Sequence, residues 1–182
     1  MKRSGHHGGV LRRRLSSTLF AASAAVLIAF AGGAVAATAA SASAGAPDFS
    51  VTTIDGKTFT LGAQRGKVIV FDFLQAGCSS CAEQVPVLDK SAARFASKGV
   101  RVLVVDLSGG SAHALRSYYR GKLAASERLL VAPDTGFKVA QRYRVTATGM
   151  TYVVGRDGSI RWQGLWLGKE KVLPRAIAQA AA

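Results

Sequence analysis

The sequence predicts an α/β fold: a central mixed sheet with helices on both faces and an N-terminal hairpin extension. Three observations predict it. The runs Lys67–Leu74 (KVIVFDFL) and Val100–Leu107 (VRVLVVDL) are apolar at nearly every position, as strands buried on both faces are. Between them, Val85, Leu88, Ala92 and Phe95 recur at three- and four-residue steps, the stripe of an amphipathic helix. Turn signals at Asp55-Gly56 and at Gly155-Arg156-Asp157-Gly158 each separate two short strand-like segments.

In chain order, Phe49–Ile54 and Lys57–Leu61 flank Asp55-Gly56 and form a hairpin. The buried strand Lys67–Leu74 follows, then a helix over Ser79–Ser97 that Gly99 ends. Val100–Leu107 is the second buried strand. Ser111–Gly121 is a helix, Arg128–Ala132 a short strand and Gly136–Tyr143 a short helix. Thr151–Val154 and Ser159–Gln163 make the second hairpin, and Lys169–Gln179 is a terminal helix. Strands and helices alternating in this way give a sheet with helices on its faces. No internal repeat is visible.

The first 44 residues differ in kind. Lys2, Arg3, Arg12, Arg13 and Arg14 stand in residues 1–14 with no acid. An Ala-, Val- and Gly-rich apolar stretch follows, then the small-x-small sites Ala34-Val35-Ala36, Ala40-Ser41-Ala42 and Ala42-Ser43-Ala44. This describes a secretory signal peptide; the alternative is an uncleaved N-terminal membrane anchor, since Leu19 to Ala40 is long enough to span. Ala and Gly richness favours cleavage. The expected organisation is residues 1–44 as signal peptide or anchor and 45–182 as one extracytoplasmic domain.

Residues 45–182 hold nineteen of the 24 Lys and Arg and all ten acids, a net charge of +9. The basic residues are scattered singly and not interleaved with aromatics, which argues against a nucleic-acid partner. A monomer is expected.

Cys78 and Cys81 are the only two cysteines. Their C-x-x-C spacing falls where an apolar strand ends and a helix begins, the setting of a dithiol redox site. A helix N-terminus stabilises a thiolate on the first sulfur, and the second lies about one turn on, close enough to attack a mixed disulfide. Half of a zinc site is the competing reading, but two more ligands are needed and His113 is the only histidine outside the N-terminal segment. A structural disulfide closing so short a loop would stabilise little. The chemistry calls for no cofactor.

Several ordered motifs surround this pair. APDFSVTTIDGKTFTLGAQRGKVIVFDF leads in, Glu83 and Pro86 follow the second cysteine, and APDTGFKVAQRYRV and TYVVGRDGSIRWQG close the chain. Together they resemble the thioredoxin superfamily, and most of all its exported thiol–disulfide oxidoreductases of the TlpA/ResA type, over residues 47–180. The resemblance implies a thioredoxin-like fold, with protein or small-molecule disulfides or thiols as substrates. It also implies that Asp72, six residues before Cys78, is buried behind Cys81 with a raised pKa and accepts its proton. The other reading of Asp72 is a strand carboxylate paired with Lys67 or Arg101.

Three departures from the family pattern stand out. Gly77 precedes the first cysteine where Trp is usual, beside the substrate. The dipeptide Ser79-Ser80 implies neither reductase nor oxidant. Gly149 occupies the usual cis-proline position, where the backbone meets substrate, with Met150 beside it. A trans bond is expected before Gly149, with Met150 partly covering the sulfurs. A reductase working outside the cytoplasm would need a membrane thiol as electron donor. The competing class is a dithiol that holds Cu(I) or Hg(II), to which two thiolates are suited. A thiol peroxidase fits less well, because Gln75 stands where such enzymes carry Thr. A copper carrier of the Sco type needs a longer cysteine spacing. His113 reads as a helix-surface residue, and Trp162 and Trp166 as core or edge packing.

Overall fold

The computed structural model describes residues 45–123 and 128–182; the expected signal peptide or anchor lies outside the described residues. Eleven strands and α-helices follow in the predicted order. The first hairpin is β1 (Ser50–Thr52) and β2 (Thr58–Thr60), then come β3 (Val68–Leu74), α1 (Ser79–Phe95) and β4 (Val100–Asp106). α2 (Ala112–Arg120), β5 (Leu129–Pro133) and α3 (Lys138–Arg142) lead to β6 (Met150–Val154), β7 (Ile160–Gly164) and α4 (Val172–Ala180). The five-stranded sheet has the order β5-β4-β3-β6-β7. β3, β4 and β5 are parallel, β6 runs antiparallel to β3, and β7 antiparallel to β6. The sheet is mixed, as the sequence predicts.

β3 lies at the centre and all seven of its residues are buried. Side chains alternate across a strand, so β3 serves two cores. Val68, Val70 and Leu74 face α1, α2 and α4 in a core that includes Cys81, Leu88, Tyr119, Trp166 and Ile177. Ile69, Phe71 and Phe73 face the other way, toward the hairpin and α3. There Phe71 stacks on Tyr152 at 5.1 Å and meets Tyr143 edge-on at 4.9 Å. The Tyr143 hydroxyl donates to the Pro47 carbonyl at 2.5 Å, tying the entering chain to this face.

α1 continues through Pro86, although proline supplies no N–H to the Ala82 carbonyl. The side chains it buries lie on both sides of that position, from Cys81 to Phe95, so packing sustains the helix. Gly99 ends the following 3₁₀ turn at φ 72°, a conformation glycine adopts freely. Among the described residues no helix is long and apolar enough to cross a membrane.

Phe71 is 0% exposed at the junction of both hairpin and α3 with the sheet. Phe71→Ala is expected to lower stability by ~3–5 kcal/mol, measured by urea unfolding. A loss under 1 kcal/mol would mean that the aromatic face does not hold the hairpin to the sheet.

Candidate functional site

The two cysteines sit at the C-terminal end of β3, where the chain turns into α1. A tight turn makes the connection: Cys78 N–H donates to the Gln75 carbonyl at 3.1 Å. Gly77 is the third residue of this turn, at φ 91°, a left-handed conformation that glycine adopts without strain. Turn geometry thus explains Gly77 where the family pattern has an aromatic residue. Cys78 is the N-cap of α1, with extended backbone, and its sulfur accepts from the Cys81 N–H at 3.2 Å. The Ser80 hydroxyl lies 3.2 Å from the same sulfur. The two sulfurs are joined as a disulfide, with Cα atoms 5.3 Å apart. Cys78 is partly exposed, whereas Cys81 is 2% exposed.

Asp72 is fully buried in the middle of β3, on the side chain parity of Val70 and Leu74. It therefore faces the same core as Cys81. It is paired with neither Lys67 nor Arg101; its partners are hydroxyl and indole groups. Thr151 Oγ1 donates to Asp72 Oδ2 at 2.6 Å, and Trp166 Nε1 lies 2.7 Å from Thr151 Oγ1 and 3.3 Å from Asp72 Oδ2. The other oxygen, Oδ1, is buried with no hydrogen-bond partner. Desolvation pushes the carboxyl up from its ordinary 3.8 to about 6, and the bonds from Thr151 and Trp166 only moderate the rise.

Gly149 precedes β6 at φ 84°, and its N–H donates to the Phe73 carbonyl at 2.7 Å. The Gln84 side chain covers it: a Cβ at Gly149 would come within 2.7 Å of Gln84 Nε2. Gln84 is 3% exposed, and its Oε1 is the second buried oxygen without a partner. Met150 pairs with Phe73 in the sheet, but its side chain packs in the aromatic core on the other face. The register thus puts the Met150 side chain on the face opposite Cys81. His113 is exposed on α2. Trp166 is core, as expected, but its indole bond to the buried acid is a role sequence reasoning missed. Thr151, Gln84 and Asp106 were missed as well. Among the described residues no three His, Cys, Asp or Glu gather as a metal site.

Two outcomes follow from this geometry. A raised carboxyl pKa means the folded chain binds the proton more tightly than the unfolded one between pH 3.8 and about 6. Stability from this group is therefore lost as pH rises through that window, and the cost above it is roughly 3 kcal/mol. Asp72→Asn is expected to stabilise the fold by ~1–3 kcal/mol at pH 7 and by nothing near pH 3.5; unfolding curves across pH read this, and a destabilised Asn variant at pH 7 would contradict it. Gly149→Ala is expected to cost more than Gly77→Ala, because nothing lies within 4 Å of a Cβ at Gly77. The strain at each φ is ~1–2 kcal/mol. Gln84→Ala should recover part of the loss at Gly149 and none at Gly77, in a double-mutant cycle.

Residues 43–163 match the AhpC/TSA family. Among curated proteins, the chain is 24% identical over 115 residues to a thiol-disulfide oxidoreductase ResA of Bacillus cereus, covering 63% of this chain. It is 28% identical over 129 residues to the methylamine utilization protein MauD of Methylobacillus flagellatus, covering 70% of this chain and 58% of the relative. The chain spans 64% of the length of the ResA relative. Of solved structures, a DsbE-type thiol:disulfide interchange protein of Chlorobium tepidum superposes with a TM-score of 0.67 at 24% identity, over 76% of this chain and 96% of that one. A secreted disulfide oxidoreductase of Mycobacterium tuberculosis, homologous to E. coli DsbE, gives 0.61 at 19% identity, over 72% and 95%. The fold is thioredoxin-like, and the chain belongs to the AhpC/TSA family.

Proposed function

We propose that the protein is an exported thiol–disulfide oxidoreductase whose working group is the Cys78–Cys81 pair. The carrying observation is the polarity of the pair: one sulfur partly exposed at a helix N-cap, the other buried on the same core as a fully buried acid. The relatives named as thiol-disulfide oxidoreductases support the same reading.

In the reducing direction the Cys78 thiolate attacks one sulfur of a substrate disulfide. The substrate S–S bond breaks, its other sulfur leaves as a thiolate that takes a proton from water, and a mixed disulfide remains. The α1 N-terminus holds the attacking thiolate, with the Cys81 N–H and the Ser80 hydroxyl aimed at its sulfur. Cys81 then gives its proton to Asp72 and attacks Cys78 Sγ. The second substrate thiolate leaves, two electrons have passed to the substrate, and the Cys78–Cys81 disulfide has formed. With a pKa of about 6, Asp72 is mostly ionised at pH 7, and Oδ1 has no competing donor. In the oxidising direction the same steps run backward from a substrate dithiol. Gly149 is buried under Gln84 and its N–H is taken by the Phe73 carbonyl, so substrate docking along Gly149 and the main chain of Met150, with the exposed Gly77, requires the Gln84 side chain to move aside.

Residues 1–44 serve in this reading as the export signal or anchor. Recharging a reductase outside the cytoplasm falls to a membrane thiol donor. The direction of flow follows from the potential: ~ −270 mV marks a reductase and ~ −120 mV an oxidant.

Cys78→Ser is expected to abolish turnover of a disulfide substrate, and Cys81→Ser to trap a mixed disulfide visible by mass spectrometry. Asp72→Asn should slow resolution with little effect on the first attack. Unchanged turnover in Cys78→Ser would remove the redox reading, and an unchanged resolution rate in Asp72→Asn would remove the relay.

A further inference from the structure

We infer that Asp106 is a positioning residue of the redox site, holding through one carboxyl oxygen the turn that carries Cys78. The inference rests on the redox reading of the Cys78–Cys81 pair. Asp106 is the last residue of β4 and 1% exposed. Its Oδ2 accepts from the Ala76 N–H at 2.9 Å and from the Tyr119 hydroxyl at 2.7 Å. Its Oδ1 accepts from the Ser108 N–H at 2.8 Å and from the Ser108 hydroxyl at 2.5 Å. One buried group thus joins the end of β4, the loop after it, α2 and the turn before α1.

The location gives this bond its significance. The β3–β4 ladder ends at Leu74 opposite Asp106. Beyond it the Ala76 N–H has the Asp106 carboxyl in place of a strand partner, two residues before the nucleophile. In the disulfide, the Cys78 sulfur is fixed by its covalent bond to Cys81. In the dithiol that bond is gone, and the sulfur stays over the Cys81 N–H and the Ser80 hydroxyl only as well as the turn holds it. Asp106 therefore acts on the reduced form more than on the oxidised one. Stabilising the reduced form raises the potential of a dithiol pair.

Asp106→Ala is expected to raise the pH at which the Cys78 thiolate forms and to shift the exchange equilibrium with glutathione about tenfold toward the disulfide, ~30 mV more reducing. The sign distinguishes positioning from charge. Removing a negative charge alone would favour the thiolate and move both readings the other way, and that result would overturn the inference. Ser108→Ala removes one donor to Oδ1 and the acceptor of the Gly110 N–H, but no bond to the turn before α1; it should lower unfolding stability while moving the equilibrium less than twofold. If it moves the potential as much as Asp106→Ala does, Asp106 has no particular hold on the turn and the inference fails. A measurement on the unmodified full chain covers the case in which Asp106→Ala does not fold. Amide exchange by NMR should show the Ala76 N–H protected in both the disulfide and the dithiol protein. Loss of that protection on reduction would also overturn the inference. A pair that cannot be reversibly reduced at all is a different result, and would remove the redox reading itself.

Discussion

A carboxyl group in the middle of the most buried strand is the constraint on which the rest of this molecule turns. Every residue of β3 is buried, so Asp72 has no route to water. A buried carboxyl must be neutralised or hydrogen-bonded. Here one oxygen is bonded by Thr151 and Trp166, and the other is left bare. Thr151 is opposite Asp72 in the β3–β6 register, and Trp166 arrives from the loop after β7. Neighbouring strands and the chain beyond them are thereby fixed around one acid. The arrangement is costly for folding, and the proposed relay would draw on it, because a carboxyl near neutrality can both take and release a proton.

The sulfur pair is held by a different kind of constraint, set by backbone. A turn with glycine at its left-handed position delivers Cys78 to the helix N-cap, where the otherwise orphan Cys81 N–H meets its sulfur. The cap holds the exposed sulfur from below and Asp106 holds the turn from the side. Gly149 closes the site at the start of β6, its conformation and its cover by Gln84 both excluding a larger side chain. Polar groups that are buried and well placed accumulate at the one end of the sheet where the parallel strands finish.

Much of this was legible in the sequence because it depends on periodicity and short-range spacing. Apolar runs gave β3 and β4, a three- and four-residue stripe gave α1, and the Gly-containing turns gave both hairpins; observed ends fall within about three residues of those expected. The C-x-x-C spacing and the acid six residues before it are equally local. What was not legible depends on register. Trp166 reaches Asp72 across 94 residues of sequence, and only the order β3-β6-β7 brings them together. The side chain of Met150 belongs to the opposite face because Phe73, its strand partner, does. Asp106 closes a strand that is apolar but for Arg101, and an acid in that place was a signal that could have been read.

The two faces of β3 explain how the domain tolerates its buried acid. About 3 kcal/mol lost at Asp72 is a large share of the ~5–15 kcal/mol by which a domain of this size is stable. That loss falls on the α1 side, where Asp72, Thr151, Gln84 and Asp106 are buried polar groups set against the apolar core. On the opposite side the five rings of Phe49, Phe71, Phe73, Tyr143 and Tyr152 pack against one another, with both buried hydroxyls of Tyr143 and Tyr152 bonded to carbonyls. No orphaned polar atom is found there among the described residues. One strand can therefore hold a costly buried acid on one face because its alternate residues secure the fold on the other, and the two are separated by nothing more than the period of two along β3.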